Sequence, residues 1–250
     1  MIPKIIHYCW FGGNPLPPLA EKCIASWKKF FPNYEIKRWD ESNFDVNIIP
    51  YTAEAYKAKK YAFVSDYARF YILYKYGGLY FDIDVEVIRS MDDIIARGPF
   101  MGCERYLKDG IQKYNGNTNI GLGANPGLGL GVAPGLGLYK ELLDFYGRLH
   151  FERDVNGAPL HTVVDITSNL LQEKGFKDIE EIQLVDGVYI YPAEYFNPMS
   201  VVTKRMRITK NTRSMHHYMA SWKPVTFTDK FKAFLRPLIP EKLLLMWNKR

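Results

Sequence analysis

The first ninety residues alternate between strand-like and helix-like patterns of hydrophobic positions. Residues 4–9, 34–39 and 79–87 form short, largely apolar runs of strand length. Residues 19–31 and 53–76 carry apolar side chains three and four positions apart, which is the period of an amphipathic helix. Strands that alternate with helices predict an α/β fold, with a nucleotide bound at the carboxyl ends of the strands.

After Met91 the pattern becomes irregular. The glycine-rich, uncharged stretch at 119–138 indicates a tight strand and turn near the pocket, because its glycines and prolines disfavour a helix. We then expect a helix over 139–146, a loop and helix over 158–175, and a strand over 185–191. A chain of 250 residues with this pattern is expected to form one main domain.

Acidic residues occupy one face of the predicted strand at 79–87. Tyr80, Asp82 and Asp84 point to that face, and the apolar residues between them point to the other. Carboxylates on the inner face of a strand are costly to bury without a partner. Mg²⁺ or Mn²⁺ bound to a substrate diphosphate is a natural partner, because both ions prefer oxygen ligands. A solvated strand end is the alternative reading of a lone Asp-x-Asp.

A second polar patch lies on the helix that precedes this strand. Asp66 and Arg69 are three positions apart and share one face with Ser65. Gly77-Gly78 supplies the left-handed backbone that ends such a helix. Helix, glycine stop and acidic strand form one compact unit, which we interpret as a site for a sugar joined to a diphosphate. An ordinary surface ion pair is the alternative for Asp66 and Arg69.

Four separated motifs follow one another along the chain. They are Ile2–Gly13; Trp27, Pro32, Tyr34, Trp39 and Asp40; Ser65-Asp66-x-x-Arg69 with Tyr76-Gly77-Gly78-x-Tyr80-x-Asp82-x-Asp84; and Thr212-x-x-x-His216-His217-x-x-x-Ser221-Trp222. In this order they resemble the sugar-binding region of the glycosyltransferases that include the yeast initiating mannosyltransferases and many bacterial capsule and lipopolysaccharide sugar transferases (glycosyltransferase family 32-like). The catalytic domain of the clostridial glucosylating toxins is similar more distantly.

This resemblance implies a single nucleotide-binding α/β domain of the GT-A type with a mixed, mainly parallel sheet. It implies a metal-dependent, retaining hexosyltransferase that uses Mn²⁺ or Mg²⁺ and a nucleotide-diphospho-sugar, expected to be a UDP-sugar. The expected acceptor is a glycan or lipid-linked acceptor in the synthesis of surface polysaccharide, such as capsule or lipopolysaccharide.

The resemblance also assigns roles to individual residues. Asp84 is expected to bind the metal directly, while Asp82 binds donor hydroxyls and helps to hold the metal. Arg69 is expected to reach the diphosphate or to fix Asp66, which accepts hydrogen bonds from the sugar. The catalytic residues are thus Asp66, Arg69, Asp82 and Asp84. The donor-binding residues are Trp10, Gly12, Ser65, Asp66, Arg69, Tyr80, Asp82, Ser221 and Trp222.

Trp10 and the adjacent histidines need separate interpretation. Trp10 ends the first strand before two glycines, so we expect it to stack on the nucleobase; a core or rim tryptophan is the alternative. Neighbours on a strand point to opposite faces, so only one of His216 and His217 is expected to face the site. We expect His217 to be the metal ligand or phosphate contact, and interpret His7 as a core histidine.

Charge and cysteine content limit the location and partners. The net charge of +6 is concentrated near residues 204–213 and in the tail at 230–250, without a nucleic-acid-binding motif, so we predict no nucleic-acid partner. The three cysteines have neither disulfide nor metal-ligand spacing, and we find no signal-peptide pattern. Together these features predict a cytoplasmic protein.

The last residues form a distinct segment. Residues 227–250 mix apolar and basic side chains and are broken by Pro237 and Pro240, which is typical of an interfacial amphipathic appendage. We therefore predict a catalytic domain at 1–226 and a tail at 227–250 that contacts anionic lipid on the cytoplasmic face of a membrane. A helix packed on the domain is the alternative.

Two other functions remain open at this stage. A metal-dependent nucleotide-sugar hydrolase would turn over without an acceptor. A non-catalytic carbohydrate- or membrane-binding module would bind glycan without metal, although an intact Asp-x-Asp argues against it.

Overall fold

The computed structural model describes residues 1–107, 120–152, 161–201 and 203–219. Its helices are α1 (Pro18–Phe30), α2 (Pro50–Lys57), α3 (Tyr61–Tyr76), α4 (Asp92–Arg97), α5 (Gly137–Tyr146), α6 (Val163–Glu173) and α7 (Ala193–Phe196). Its strands are β1 (Ile5–Cys9), β2 (Glu35–Trp39), β3 (Gly78–Tyr80), β4 (Val85–Val87), β5 (Phe100–Leu107), β6 (Ile120–Ala124), β7 (Leu130–Val132), β8 (Gln183–Val185), β9 (Val188–Tyr191) and β10 (Ser214–His216). The predicted tail lies outside the described residues.

The strands form one large mixed sheet and one small ribbon. The large sheet has the order β2-β1-β3-β7-β5-β9-β8, with β6 paired to β5, and the ribbon joins β4 to β10. The prediction of an α/β domain with a mixed sheet is confirmed. Parallel pairing is limited to β1 with β2 and β3 and to β5 with β9, whereas β7, β6 and β8 pair antiparallel. Among the described strands, parallel pairs are therefore not the majority that was expected.

Helices cover both faces of the large sheet. One hydrophobic cluster packs α2, α3, α5 and α6 against one face, and a second packs α1, α4 and α7 against the other. Leu79 and Tyr80 are consecutive in β3 and belong to opposite clusters, as the alternation of a strand requires. No helix in the described ranges is long and apolar enough to span a bilayer.

Three sequence expectations need correction. The helix expected over 53–76 is two helices, because the chain turns at Lys59, whose φ is 57°. The strand expected over 79–87 is also broken, because a turn separates β3 in the large sheet from β4 in the ribbon. The stretch after Met91 is regular rather than irregular, since α4 and the long strand β5 follow it.

Candidate active site

Three parts of the chain meet beyond the carboxyl end of β3. Strand β3 runs parallel to β1, so the residues that follow both strands emerge at one edge of the sheet. The chain then turns, with the N–H of Val85 donating to the carbonyl of Asp82 at 3.0 Å, and enters β4. Strand β4 pairs antiparallel with β10, and this register sets His216 opposite Val85. His216 is thereby brought beside Asp84.

Asp82 is held by three neighbours and still reaches solvent. Its Oδ1 accepts hydrogen bonds from Arg69 Nη2 at 3.1 Å and from Tyr80 Oη at 3.0 Å. Its backbone N–H donates to the carbonyl of Gly127 at 3.0 Å. The side chain is 28% exposed, so its free oxygen Oδ2 is available to a ligand.

Asp84 anchors the segment around His216. Its Oδ1 lies 3.0 Å from His216 Nε2, and its Oδ2 accepts from the N–H of Met219 at 2.7 Å. Its carbonyl accepts from the N–H of His217 at 3.0 Å. Burial favours the neutral acid, but the hydrogen bond and charge of His216, together with the backbone hydrogen bond from Met219, lower the pKa of Asp84.

The imidazole of His216 is almost completely enclosed. Burial disfavours its charged form, yet the hydrogen bond and charge of Asp84, together with the charges of Asp82 and Glu104, raise the pKa of His216. Its Nδ1 is buried and has no hydrogen-bond partner within the described residues. The acidic surroundings therefore favour positive charge at this place, and a bound cation, which requires the neutral imidazole, would replace the proton.

Asp82, Asp84 and His216 have the chemistry of a divalent-cation site. One ligand atom from each lies within 4.8 Å of the other two. Two carboxylates and one imidazole provide oxygen and nitrogen ligands. Mn²⁺ binds both kinds of ligand, whereas Mg²⁺ binds nitrogen less readily. The residues therefore fit the metal that the sequence predicts, without specifying which ion.

His217 does not belong to this group, which corrects the sequence-based choice of ligand. Its Nε2 lies 2.8 Å from Glu86 Oε2, and Glu86 also binds Lys22 Nζ at 2.8 Å. The alternation of β10 gives the physical reason, since Ser214 and His216 are buried on one face and the next residue faces away. The pairing register of β4 with β10, which the sequence did not reveal, decides between the two histidines.

Asp66 and Arg69 form a buried ion pair on α3 rather than a surface pair. Arg69 Nη2 lies 3.0 Å from Asp66 Oδ1, and the side chains are only 4% and 9% exposed. Burial raises the pKa of Asp66 and the charge of Asp82 adds to this, while Arg69 opposes it. Arg69 therefore links the two carboxylates, Asp66 and Asp82, and its Nε and Nη1 have no partner within the described part of the chain.

The remaining predicted donor residues have local contacts of their own. Trp10 is half-buried and donates from Nε1 to the carbonyl of Asn14 at 2.6 Å. Gly12 has a φ of 95° and packs so closely on Tyr61 that an added Cβ would lie 2.3 Å from its ring. Ser65 donates from Oγ to the carbonyl of Tyr61 at 3.3 Å. Ser221 and Trp222 lie outside the described residues, so their predicted roles remain predictions.

A second polar group beside the carboxylates was missed by the sequence analysis. Glu104 on β5 accepts hydrogen bonds from Asn125 and from Tyr218, which lies two residues after His216. Asn125 is the single polar side chain between residues 120 and 138. A lone polar residue in an apolar stretch could have indicated a role in the site. Glu104 gave no such signal.

Comparison with known proteins matches the part of the chain that carries these acidic residues. Residues 17–101 match the family described as the glycosyltransferase sugar-binding region containing a DXD motif. Over this range the chain is similar to DXD-containing sugar-binding regions of glycosyltransferases. The matched range includes α3 with Asp66 and Arg69 and both acidic residues of the Asp-x-Asp, and it confirms the resemblance predicted from the sequence.

Individual relatives of the sugar-binding region are named as glycosyltransferases. Inositol phosphoceramide mannosyltransferase 3 of Schizosaccharomyces pombe (strain 972) is 38% identical over 101 residues, covering 38% of this chain and 27% of its own length. A glycosyltransferase of Acanthamoeba polyphaga mimivirus is 26% identical over 209 residues, covering 79% of this chain and 76% of its own. The solved structure of the PaToxG glycosyltransferase gives a TM-score of 0.46 at 17% identity and 70% coverage of both chains. The chain thus spans about a quarter of the fungal relative and most of the viral one.

Proposed function

We propose that this protein is a metal-dependent glycosyltransferase that transfers a sugar from a nucleotide-diphospho-sugar to a hydroxyl acceptor. The observation that carries the proposal is the group formed by Asp82, Asp84 and His216, whose ligand atoms lie within 4.8 Å of one another. Two of these three residues are the Asp-x-Asp of the matched sugar-binding region. A buried Asp66–Arg69 pair adjoins the group through the bond from Arg69 to Asp82.

Each residue of the group has a distinct part in the proposal. Asp82, Asp84 and His216 hold Mn²⁺ or Mg²⁺, which when bound neutralises charge on the diphosphate of the leaving nucleotide. Arg69 orients Asp82 and supplies a fixed positive charge near the sugar and diphosphate. Tyr80 keeps Asp82 in place by donating to the same carboxylate oxygen.

The donor and acceptor follow from the resemblance rather than from contacts. We propose a UDP-sugar as the donor, with Trp10 stacking on its base, and retention at the anomeric carbon. The acceptor is a glycan or lipid-linked acceptor of a surface polysaccharide. The basic tail at 227–250 attaches the protein to the cytoplasmic face of an anionic membrane.

The adjacent histidines provide a matched test of the metal site. We expect His216→Ala to weaken Mn²⁺ binding at least tenfold, about 1.4 kcal/mol, and to abolish metal-dependent turnover. His217→Ala removes the same side chain one residue away, at the contact with Glu86, and should leave Mn²⁺ affinity near that of the wild type. The measurements are calorimetric Mn²⁺ titration and release of nucleoside diphosphate from a panel of nucleotide sugars.

The outcomes of this test separate the possible functions. Transfer of the sugar to an added glycan supports the proposed reaction, and NMR of the new linkage reports its anomeric configuration. Equal turnover without any acceptor would identify a nucleotide-sugar hydrolase. A wild-type protein that binds glycan but neither Mn²⁺ nor nucleotide sugar would be a non-catalytic binding module. If His216→Ala binds Mn²⁺ as tightly as His217→Ala does, His216 is not a metal ligand and the metal assignment is refuted.

A further inference from the structure

Glu104 joins two segments that each lead to one of the candidate metal ligands. Its Oε2 accepts a hydrogen bond from Asn125 Nδ2 at 2.9 Å and another from Tyr218 Oη at 2.6 Å. Both donors therefore converge on one carboxylate oxygen. Hydrogen bonds to an ionised acceptor are stronger than those between neutral groups, so this oxygen is a firm point of attachment for both segments.

The first segment leads from Glu104 to Asp82. Asn125 Oδ1 accepts from the N–H of Gly127 at 2.8 Å, and the carbonyl of Gly127 accepts from the N–H of Asp82 at 3.0 Å. Gly127 also packs directly against the carboxylate, because an added Cβ there would lie 2.1 Å from Asp82 Oδ2. Any shift of Asn125 would thus change the position of the Asp82 side chain.

The second segment leads from Glu104 to His216. Tyr218 packs edge-on against the imidazole of His216, with ring centroids 4.2 Å apart. Its φ of 49° is unusual for a residue with a side chain, so the surrounding contacts must hold it there. The next residue, Met219, donates its N–H to Asp84. The bond from Tyr218 to Glu104 therefore fixes the stretch of backbone that carries His216 and that binds Asp84 through Met219.

We propose that Glu104 is a positioning residue of the metal site. Through Asn125 it sets the place of Asp82, and through Tyr218 it sets the place of His216. It thereby holds the two at the separation that a divalent cation requires. The inference rests on the proposed function, because it presumes that Asp82, Asp84 and His216 bind such a cation.

Mn²⁺ affinity of the full chain, measured by calorimetric titration, tests this role without relying on turnover. Glu104→Ala removes both bonds and should weaken Mn²⁺ binding about 10–100-fold, the usual effect of losing a group that orients a metal ligand. Glu104→Gln should recover most of that affinity, because its amide oxygen can accept from both donors.

A matched control comes from Glu194, which also accepts two donors on one oxygen. Its Oε1 binds Thr209 Oγ1 at 2.5 Å and Asn211 Nδ2 at 2.9 Å, and neither donor contacts Asp82, Asp84 or His216. Glu194→Ala should therefore change thermal stability without changing Mn²⁺ affinity. An equal loss of affinity in both alanine variants would mean general loosening of the fold and would overturn the proposal.

Two further variants keep the test decisive if Glu104→Ala does not fold. Tyr218→Phe removes one donor, and Asn125→Asp removes the other while keeping the acceptor for Gly127. Each should weaken Mn²⁺ binding severalfold; wild-type affinity in both would overturn the role of Glu104. A wild-type chain that binds no Mn²⁺ would refute the proposed metal site itself. A wild-type chain that binds Mn²⁺, with variants of equal affinity, would refute only the role of Glu104.

Discussion

Gly127 offers the sharpest structural perturbation of the site, because Asp82 occupies the space that a side chain would need. A Cβ at this position would lie 2.1 Å from Asp82 Oδ2 and 3.1 Å from Asn125 Oδ1. In Gly127→Ala the carboxylate must retreat until this separation reaches about 3.4 Å, the start of ordinary contact. Such a movement of more than 1 Å would disturb the bonds that Asp82 Oδ1 receives from Arg69 and Tyr80.

A misplacement of about 1 Å commonly costs about 100-fold in rate, or about 2.7 kcal/mol. We therefore expect Gly127→Ala to lower kcat/KM for the nucleotide sugar by about that factor and to weaken Mn²⁺ binding. Gly147→Ala is the control, because its Cβ would meet only the carbonyls of Leu143 and Asp144 at 3.4 Å and 3.6 Å. Steady-state kinetics and thermal unfolding should be measured together. A Gly127→Ala protein with the wild-type fold, kinetics and Mn²⁺ affinity would refute the placement of Asp82 in the site.

Three other predictions address the surrounding residues. Arg69→Lys keeps the charge but loses the guanidinium, whose Nη2 contacts both Asp66 and Asp82 and whose plane lies over the Tyr80 ring, so kcat should fall at least tenfold, and near-normal kinetics would contradict the bridge. Trp10→Ala should weaken UDP binding in calorimetry by about 1–3 kcal/mol; unchanged binding with a large drop in Tm would make it a core residue. Burial lowers the pKa of His7 from 6.5 to about 4, so the unfolded chain takes up its proton first as the pH falls. Unfolding free energy from urea titration should therefore drop by about 2 kcal/mol more between pH 7 and pH 5 in the wild type than in His7→Gln, and parallel pH profiles would refute this.

The sequence predicted those parts of the site that depend on local spacing. Asp66 and Arg69 are one helical turn apart, so their contact follows from α3 alone. Asp82 and Asp84 lie close together as their spacing predicts, although the strand expected to carry them is a turn. That turn arises because the chain leaves the large sheet after Tyr80 and joins β10 at Val85, a long-range pairing that no local pattern reports.

Long-range pairing also explains what the sequence could not supply. The choice between His216 and His217 depends on which of them faces Asp84 when β10 pairs with β4. Glu104 resembles an ordinary polar residue of a strand in the sequence. Only the folded chain brings Asn125, after β6, and Tyr218, after β10, into contact with it. The regular structure after Met91 was missed because α4 is short and because β5 is stabilised by pairing with three other strands rather than by a local pattern.

The bond between Asp84 and Met219 closes a loop of 135 residues and has a consequence for synthesis of the chain. On the ribosome, Asp84 emerges long before its partners, at about 5–20 residues per second. Synthesis of the intervening 135 residues therefore takes roughly 7–27 s, and only then can Met219 contact Asp84. During that interval β4 lacks its pairing partner β10, and its unpaired edge can pair with another chain. Nascent chains stalled before residue 214 should accordingly be the species most prone to misassembly.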